Sequence, residues 1–292
     1  MLLGALEAGG TKMVCAIGDE NGNVFERQSF PTRTPEETMP DLINYFKDKG
    51  IEALGIGSFG PLNLDPNDPN YGDITTTPKL PWINYPLRKA FAEALGVPVG
   101  IDTDVNAAAL GEAELGAGKG LDSLVYFTIG TGVGAGILAD GKLVHGLVHP
   151  EMGHIPMRPH PEDPAPRGFC PYHESCLEGM ACGTAIEKRW GISARDLPED
   201  HIAWTVEVEY LAQMCVTTIL TVSPKKIVLG GGVMHQMHLF PRIRARVLEM
   251  LGGYVAHPAI LNDIDNYIVS PGLADNAGAA GSLLLAKYAL QA

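Results

Sequence analysis

The sequence lacks the features that mark membrane-spanning and exported proteins. Its apolar runs are short: none approaches the roughly 18 residues of a membrane-spanning helix, and the late run 283–286 ends at Lys287. The first ten residues have no basic segment and reach Glu7 early, which is unlike a signal peptide. We therefore expect a protein without a membrane partner, located in the cytoplasm.

Basic residues are also scarce, with 21 Lys and Arg against 34 Asp and Glu and a formal net charge of −13. Proteins that bind nucleic acids need clustered Lys and Arg to neutralise phosphates, so we expect no nucleic-acid partner. A hydrophobic content of 46% excludes a disordered chain. A length of 292 residues favours two domains over one.

Glycine and cysteine are the unusual parts of the composition. The 35 glycines exceed the usual share of roughly 7% and follow no collagen period, so they are expected in tight turns and ligand-facing loops. The five cysteines are an odd number, which disfavours a disulfide framework. Cys170, Cys176 and Cys182 fall in one segment, which points to a metal.

One order of elements occurs twice along the chain. An apolar run at 2–6 leads into a glycine turn, a second run and a tight turn at 19–23. The same order returns from the run at 124–129 to the turn at 140–142. We interpret this as an internal repeat at domain scale, with a seam near 116–122. Helices are predicted over 38–49, 86–95, 106–115, 177–190, 207–222, 238–251 and 277–290.

Three glycine turns are candidates for phosphate binding: the first at 9–12, the second at 130–136 and the third at 230–232. Successive glycines let backbone N–H groups point in one direction and form an anion cradle. An ordinary hairpin is the alternative for the first two turns, but their matching contexts and the third turn, between a strand and a helix, favour phosphate. Neither a Walker A loop nor a Rossmann fingerprint fits these turns.

Acidic residues follow several predicted elements. Asp104 lies where a strand gives way to a helix, the edge at which ligands of α/β sheets collect. The alternative is that Asp104 or Thr103 simply caps that helix. Glu151 follows the second hairpin, and Glu178 opens a predicted helix, where it could be only a favourable partner of the helix dipole.

A candidate metal site has the spacing C-x₂-H-x₂-C, formed by Cys170, His173 and Cys176. His154 lies upstream and offers a fourth ligand. Two Cys and two His favour a closed, tetrahedral, structural zinc site. The alternatives are buried free thiols and a surface histidine. Cys182 is a rival ligand, but it lies six positions into the predicted helix 177–190 and points away, so its role stays open.

Together these motifs resemble the ROK family of sugar kinases, most closely its bacterial zinc-containing fructokinase branch. The segments that carry the resemblance are 7–12, 58–61, 77–82, 103–112, 130–134, 151–154, 170–178 and 230–232. The resemblance implies a two-domain, actin-like (ribonuclease H-like) α/β fold with the active site in a cleft between domains. We expect domains at 1–118 and 119–276, with a C-terminal helix of about 277–292 packing back on the first.

The resemblance also implies an activity, the ATP-dependent phosphorylation of fructose at its 6-hydroxyl with Asp104 as general base. Mg²⁺ would accompany ATP, with Glu7 on the magnesium side, and the protein would be a homodimer. Zinc would be structural, held by His154, Cys170, His173 and Cys176. The implied sugar-binding residues are Gly60, Pro61, Thr103, Asn106, Glu151, His154 and Glu178. The implied nucleotide-binding residues are Gly9, Gly10, Thr11, Lys12, Gly130, Thr131, Gly132, Gly231 and Gly232.

Three departures from the common family pattern look like features of the fructokinase branch and disfavour a glucokinase. Glu7 replaces the usual Asp, Thr103 the usual Asn before the catalytic aspartate, and His173 a cysteine of the metal knot. The alternatives are a mannose, glucose or N-acyl-hexosamine kinase of the same family, or a non-catalytic sugar-sensing regulator.

Overall fold

Two β-sheets, each built from a hairpin that is extended by parallel strands, organise the chain. The computed structural model describes residues 1–291. Its strands are β1 (Leu3–Ala8), β2 (Lys12–Gly18), β3 (Val24–Pro31), β4 (Ala53–Ser58), β5 (Val99–Thr103), β6 (Leu124–Ile129), β7 (Val133–Ala139), β8 (Lys142–Leu143), β9 (Ile227–Gly230) and β10 (Ile268–Val269).

The helices connect these strands and follow them. They are α1 (Pro35–Lys47), α2 (Leu87–Leu95), α3 (Asp104–Glu114), α4 (Leu177–Ala181), α5 (Gly183–Trp190), α6 (Ala203–Thr221), α7 (Leu239–Leu251), α8 (Pro258–Leu261), α9 (Ile264–Tyr267) and α10 (Ala277–Ala289). In the part of the chain that is described, no helix combines the length and apolar character needed to cross a bilayer.

The two sheets have the same topology. The first has the order β3-β2-β1-β4-β5 and the second the order β8-β7-β6-β9-β10. In each sheet the first strand pairs antiparallel with the second and parallel with the fourth. The internal repeat predicted from the sequence is therefore confirmed as a repeated sheet.

The core of each sheet is covered by its own helices, and a shared pair of helices lies between the sheets. Leu42, Phe46 and Phe91 of α1 and α2 are buried with the first sheet, and α4, α6 and α7 contribute to the core of the second. Helix α3 contacts strands of both sheets and packs along α10, which also packs against β1, β4 and β5. The C-terminal helix thus lies against the first sheet.

Small residues allow this close packing of α3. A Cβ atom on Gly281 would lie 1.6 Å from the carbonyl oxygen of Ala107. A Cβ atom on Gly136 of β7 would lie 2.1 Å from the carbonyl oxygen of Val105. Both distances are far inside van der Waals contact, so only glycine lets α10 and β7 approach the backbone of α3.

One local prediction was wrong. The helix predicted over 177–190 is divided at Cys182, whose extended backbone (φ −72°, ψ 159°) ends α4 and starts α5. The Cys182 thiol accepts a hydrogen bond from the N–H of Ala185 at 3.3 Å, so this cysteine is a helix cap. In the second sheet, β7 begins at Val133, so Gly134 and Gly136 lie in this strand and the second glycine turn is short.

We expect the Gly281→Ala substitution to destabilise the protein by about 1–3 kcal/mol, because the added methyl group forces α10 away from α3. The sign of this change in stability is informative, since replacing glycine by alanine in a helix without such a contact stabilises it by about 1 kcal/mol. Urea unfolding measures the change. Gly146→Ala, where the new Cβ would have only the Val148 carbonyl oxygen as a near neighbour, at 3.8 Å, is the control. An unchanged unfolding midpoint for Gly281→Ala would contradict this account of the helix pair.

Candidate active site and metal centre

Asp104 begins α3 at the junction of the two sheets. Thr103 caps the helix, because its hydroxyl oxygen accepts a hydrogen bond from the N–H of Asn106 at 3.1 Å. The Asp104 carboxylate accepts the N–H of Val105, at 2.9 Å. A Cβ on Gly57 of β4 would lie 3.3 Å from the Asp104 Cα, and one on Gly134 of β7 would lie 3.0 Å from Val105. The cap is therefore Thr103, and the Asp104 carboxyl group remains available.

Several carboxyl groups lie near Asp104, and its charge raises the pKa values of two of them. The Asp104 side chain is solvent-accessible, yet desolvation by the surrounding protein raises its pKa to about 6, as expected in a recess. Burial, followed by the charges of Glu178 and Asp104, raises the pKa of Glu151 to about 7. Burial also raises the pKa of Glu7 to about 7; Asp104 adds to this, while Arg27 and Lys12 oppose it. Four carboxyl groups thus share one region.

The first glycine turn offers free donors and two cations. The N–H of Gly9 donates to the carbonyl oxygen of Lys12 at 3.1 Å and closes the turn. The N–H groups of Gly10 and Thr11 have no acceptor within residues 1–291. The Nζ of Lys79 lies 4.0 Å from the position of a Cβ on Gly10. Lys79 was not predicted from the sequence as a site residue.

The second turn is held by the start of α5. The N–H of Gly183 donates to the carbonyl oxygen of Gly130 at 2.7 Å, and the Thr184 hydroxyl donates to that of Thr131 at 2.9 Å. Across the described chain, the N–H groups of Thr131 and Gly132 find no acceptor. The break at Cys182 is what brings α5 to this turn.

Glu178 and the third turn lie beside the second turn. The Glu178 carboxylate accepts the N–H of Val133 at 3.1 Å. Gly231 has a φ of +88°, and a Cβ there would lie 2.5 Å from the backbone nitrogen of Ile129, the residue before Gly130. Gly232 is exposed, with open space around it. The structure thus brings the second and third predicted turns together.

Asn106 has an unused acceptor. Its Nδ2 donates to Asp102 at 2.7 Å, whereas its Oδ1 is buried and has no partner among the residues that the structure describes. A buried, unpaired carbonyl oxygen costs free energy unless a ligand or water satisfies it.

Two histidines that sequence reasoning missed connect the second half of the chain to the first. His145 lies 2.8 Å from the Asp102 carboxylate, and His149 accepts the N–H of Leu62 at 3.1 Å. Leu62 follows Gly60 and Pro61, and a Cβ on Gly60 would lie 3.2 Å from His149. The signal in the sequence was the recurrence of histidine at 145, 149 and 154.

The four predicted metal ligands converge. The donor atoms of His154, Cys170, His173 and Cys176 all lie within 4.8 Å of one another. His154 Nδ1 is 3.9 Å from the Cys170 sulfur and 3.7 Å from the Cys176 sulfur. Tetrahedral zinc places neighbouring sulfur and nitrogen ligands about 3.6 Å apart, so these donors fit a zinc ion. Cys182 lies outside this group, as a helix cap.

A buried ion pair supports α4 behind the metal ligands. Arg189 and Asp163 lie 2.7 Å apart, with almost completely buried side chains. The Tyr210 hydroxyl donates to Asp163 at 2.6 Å, and Arg189 donates to the carbonyl oxygen of Met180 in α4 at 2.7 Å. These contacts hold the helix that carries Glu178.

Comparison with known proteins agrees with this architecture. A protein of Bacillus subtilis (strain 168) is 50% identical over 291 residues, covering 100% of this chain and 97% of that protein. The fructokinase of Pediococcus pentosaceus is 46% identical, covering 100% of this chain and 99% of that protein. The crystal structure of the ROK hexokinase of Thermus thermophilus superposes with a TM-score of 0.77 at 26% identity, covering 100% of this chain and 99% of that one. The ROK family model matches residues 3–289, and the chain belongs to the ROK family.

Proposed function

We propose that the protein transfers the γ-phosphate of ATP to the 6-hydroxyl of fructose and produces fructose 6-phosphate. The observation that carries this proposal is the position of Asp104 at the junction of two sheets, each of which supplies a glycine turn with free N–H groups. The choice of fructose is supported by the similarity to the Pediococcus pentosaceus fructokinase. Phosphoryl transfer requires mainly positioning and charge neutralisation, which this arrangement can supply.

Asp104 is the proposed general base. A proton acceptor must be ionised before the reaction, and a pKa of about 6 leaves the Asp104 carboxyl group largely ionised at neutral pH. Its position at the N-terminus of α3 favours the negative charge. Because Thr103 caps the helix, the Asp104 carboxyl group is not needed as a cap and can face the sugar hydroxyl.

The glycine turns are the proposed phosphate sites. The free N–H groups of Gly10, Thr11, Thr131 and Gly132 would donate to phosphate oxygens. Lys12 and Lys79 would add positive charge at the first turn. Mg²⁺ bound with ATP would neutralise phosphate charge, with Glu7 on its side of the site. Gly231 and Gly232 would border the adenosine, where the absence of side chains leaves room.

The proposed sugar site gathers polar groups from both sheets. The free Asn106 Oδ1 would accept a sugar hydroxyl and so lose its unsatisfied state. Glu151 and Glu178 would accept others, and the second ring nitrogen of His154, the one turned away from the thiols, would donate. The remaining proposed contacts come from Gly60, Pro61 and Thr103.

Zinc is the proposed occupant of the four-ligand centre. Two thiolates and two imidazoles provide a closed tetrahedral set without a place for a reactive water, so the ion would be structural. Because Glu151 and Glu178 flank the four ligands in the chain, the ion would hold both carboxylates at the sugar.

We also propose domains at 1–118 and 119–276, with the helix near 277–292 joined to the first. The contacts of α10 with β1, β4 and β5 support this division; residue 292 lies outside the described residues. The family relationship supports a homodimer, and the sequence features support the cytoplasm as its location.

A coupled assay with ATP and Mg²⁺ tests the proposed reaction. We expect turnover with fructose to exceed that with mannose, glucose and N-acetylmannosamine when kcat/KM values are compared. Preference for another of these sugars would change the substrate while leaving the kinase intact. No turnover with any of them would refute the proposed function.

The Asp104→Asn substitution tests the general base. The amide cannot accept the proton, so we expect kcat to fall by about 10²–10⁴-fold, while fructose binding measured by calorimetry remains close to that of the wild type. Asp48→Asn, at the exposed end of α1, is the control and should keep full turnover. Normal kcat in the Asp104→Asn variant would remove this residue from the role.

Metal analysis tests the zinc site. We expect about one zinc ion per chain, because four ligands complete one tetrahedral site. Removal by a chelator should abolish fructose binding, since the segment between Glu151 and Glu178 loses its support.

Two cysteine substitutions sharpen the metal test. Cys176→Ser should lose the ion, whereas Cys182→Ser, which keeps a helix-capping oxygen, should retain it. The proposed ligand set is wrong if the two variants behave in the opposite way. Unchanged sugar binding by the metal-free protein would show that the ion does not support the site.

A further inference from the structure

The segment between β8 and Glu151 crosses from the second sheet to the first. Its two histidines contact different elements of the first half. His145 contacts Asp102 at the end of β5, and His149 accepts the N–H of Leu62. Both partners adjoin residues of the proposed sugar site, since Asp102 holds Asn106 and Leu62 follows Pro61. The two contacts therefore tie the halves together at the sugar.

His145 completes the hydrogen bonds of a buried carboxylate. Asp102 is 3% exposed, and one of its oxygens accepts the N–H of Thr103 at 2.8 Å and Nδ2 of Asn106 at 2.7 Å. The other oxygen lies 2.8 Å from His145 Nε2, and this hydrogen bond raises the pKa of His145. Without His145 that oxygen would lack its partner, and the group that orients Asn106 would be less well held.

His149 is held in one protonation state by its neighbours. A backbone N–H can only donate, so the bond from Leu62 requires His149 Nε2 to be without a proton. Burial lowers the pKa of His149, which favours the neutral ring. The proton of a neutral ring then lies on Nδ1, which interacts with the backbone of Pro150 and lies 3.5 Å from a Glu151 carboxylate oxygen. The donor side of the buried imidazole is thus turned toward the segment that carries Glu151.

We propose that His145 and His149 form a clasp between the two halves of the chain, in which His149 is a positioning residue that orients Glu151 toward the sugar. This inference rests on the proposed function. The clasp acts on sugar affinity and not on nucleotide affinity, because both its anchors in the first half adjoin sugar residues. His149 acts through Glu151, so its effect requires the Glu151 carboxylate.

A double-mutant cycle between His149 and Glu151 tests this dependence. We expect His149→Leu to raise the fructose KM at least about tenfold while the ATP KM stays within about twofold. In a Glu151→Gln background the same change should have little further effect on the fructose KM. Equal effects in both backgrounds would overturn the positioning role, as would a fructose KM that does not change.

Conservative variants keep the test valid if the leucine variants fold poorly. In His149→Gln the amide oxygen can still accept the Leu62 N–H, and in His145→Gln the amide N–H can still donate to Asp102. We therefore expect both variants to fold. His145→Gln should have a nearly normal fructose KM, whereas His149→Gln should be impaired, because its amide N–H group does not occupy the Nδ1 position on the Glu151 side of the ring. A normal fructose KM in His149→Gln would contradict the proposal.

Two controls separate the possible failures. His257→Leu, at the exposed start of α8, should leave both KM values unchanged, which excludes a general effect of replacing histidine. Zinc content should be the same in every variant, which excludes loss of the metal centre. If the wild-type protein phosphorylates no sugar, the proposed function fails; if it is active and the His149 variants behave like it, only the clasp fails.

Discussion

The contact of α3 with α10 and with both sheets is the constraint on which the active region depends. The backbones approach so closely at Gly281 and Gly136 that a single methyl group would collide with a carbonyl oxygen of α3. Since Asp104 begins this helix, the same contacts place its carboxyl group relative to both glycine turns. At the other end of α3, the buried Glu112 accepts N–H groups of Ala117, Gly272 and Leu273. The helix is thereby held along its whole length.

This placement concentrates negative charge where an anionic nucleotide is expected to bind. The charge of Asp104 adds to the raised pKa values of Glu7 and Glu151, the charge of Glu178 adds to that of Glu151, and the whole chain carries a net charge of −13. Binding of ATP therefore depends on local groups: unpaired N–H groups of the turns, the two lysines near the first turn, and the accompanying Mg²⁺. The opposing charges are close together, so their interaction outweighs the more distant, screened charge of the surface.

The proposed sugar side depends on tertiary contacts more than on regular secondary structure. Few residues between Glu151 and Cys176 lie in helices or strands. The buried pair of Arg189 and Asp163 restrains this segment, and the proposed zinc ligands lie together within it. The clasp restrains the chain just before Glu151, through the contacts of His145 and His149 with the first half. Both kinds of contact involve polar groups removed from water, for which an unpaired geometry is costly, so they define one arrangement.

Local patterns were enough to predict the repeated strands, the glycine turns and the His/Cys cluster, because most of each pattern lies within a few residues and reflects backbone geometry or ligand chemistry. The division of the helix at Cys182 was missed because the apolar pattern continues through it. There, the need to place the start of α5 on Gly130 and Thr131 outweighs helix propensity. His145 and His149 were missed because their partners lie 43 and 87 residues away. The sequence by itself determined which elements form and which chemical groups the chain carries; only the tertiary structure decided which of those groups meet, because contacts between distant residues leave no periodic trace along the chain.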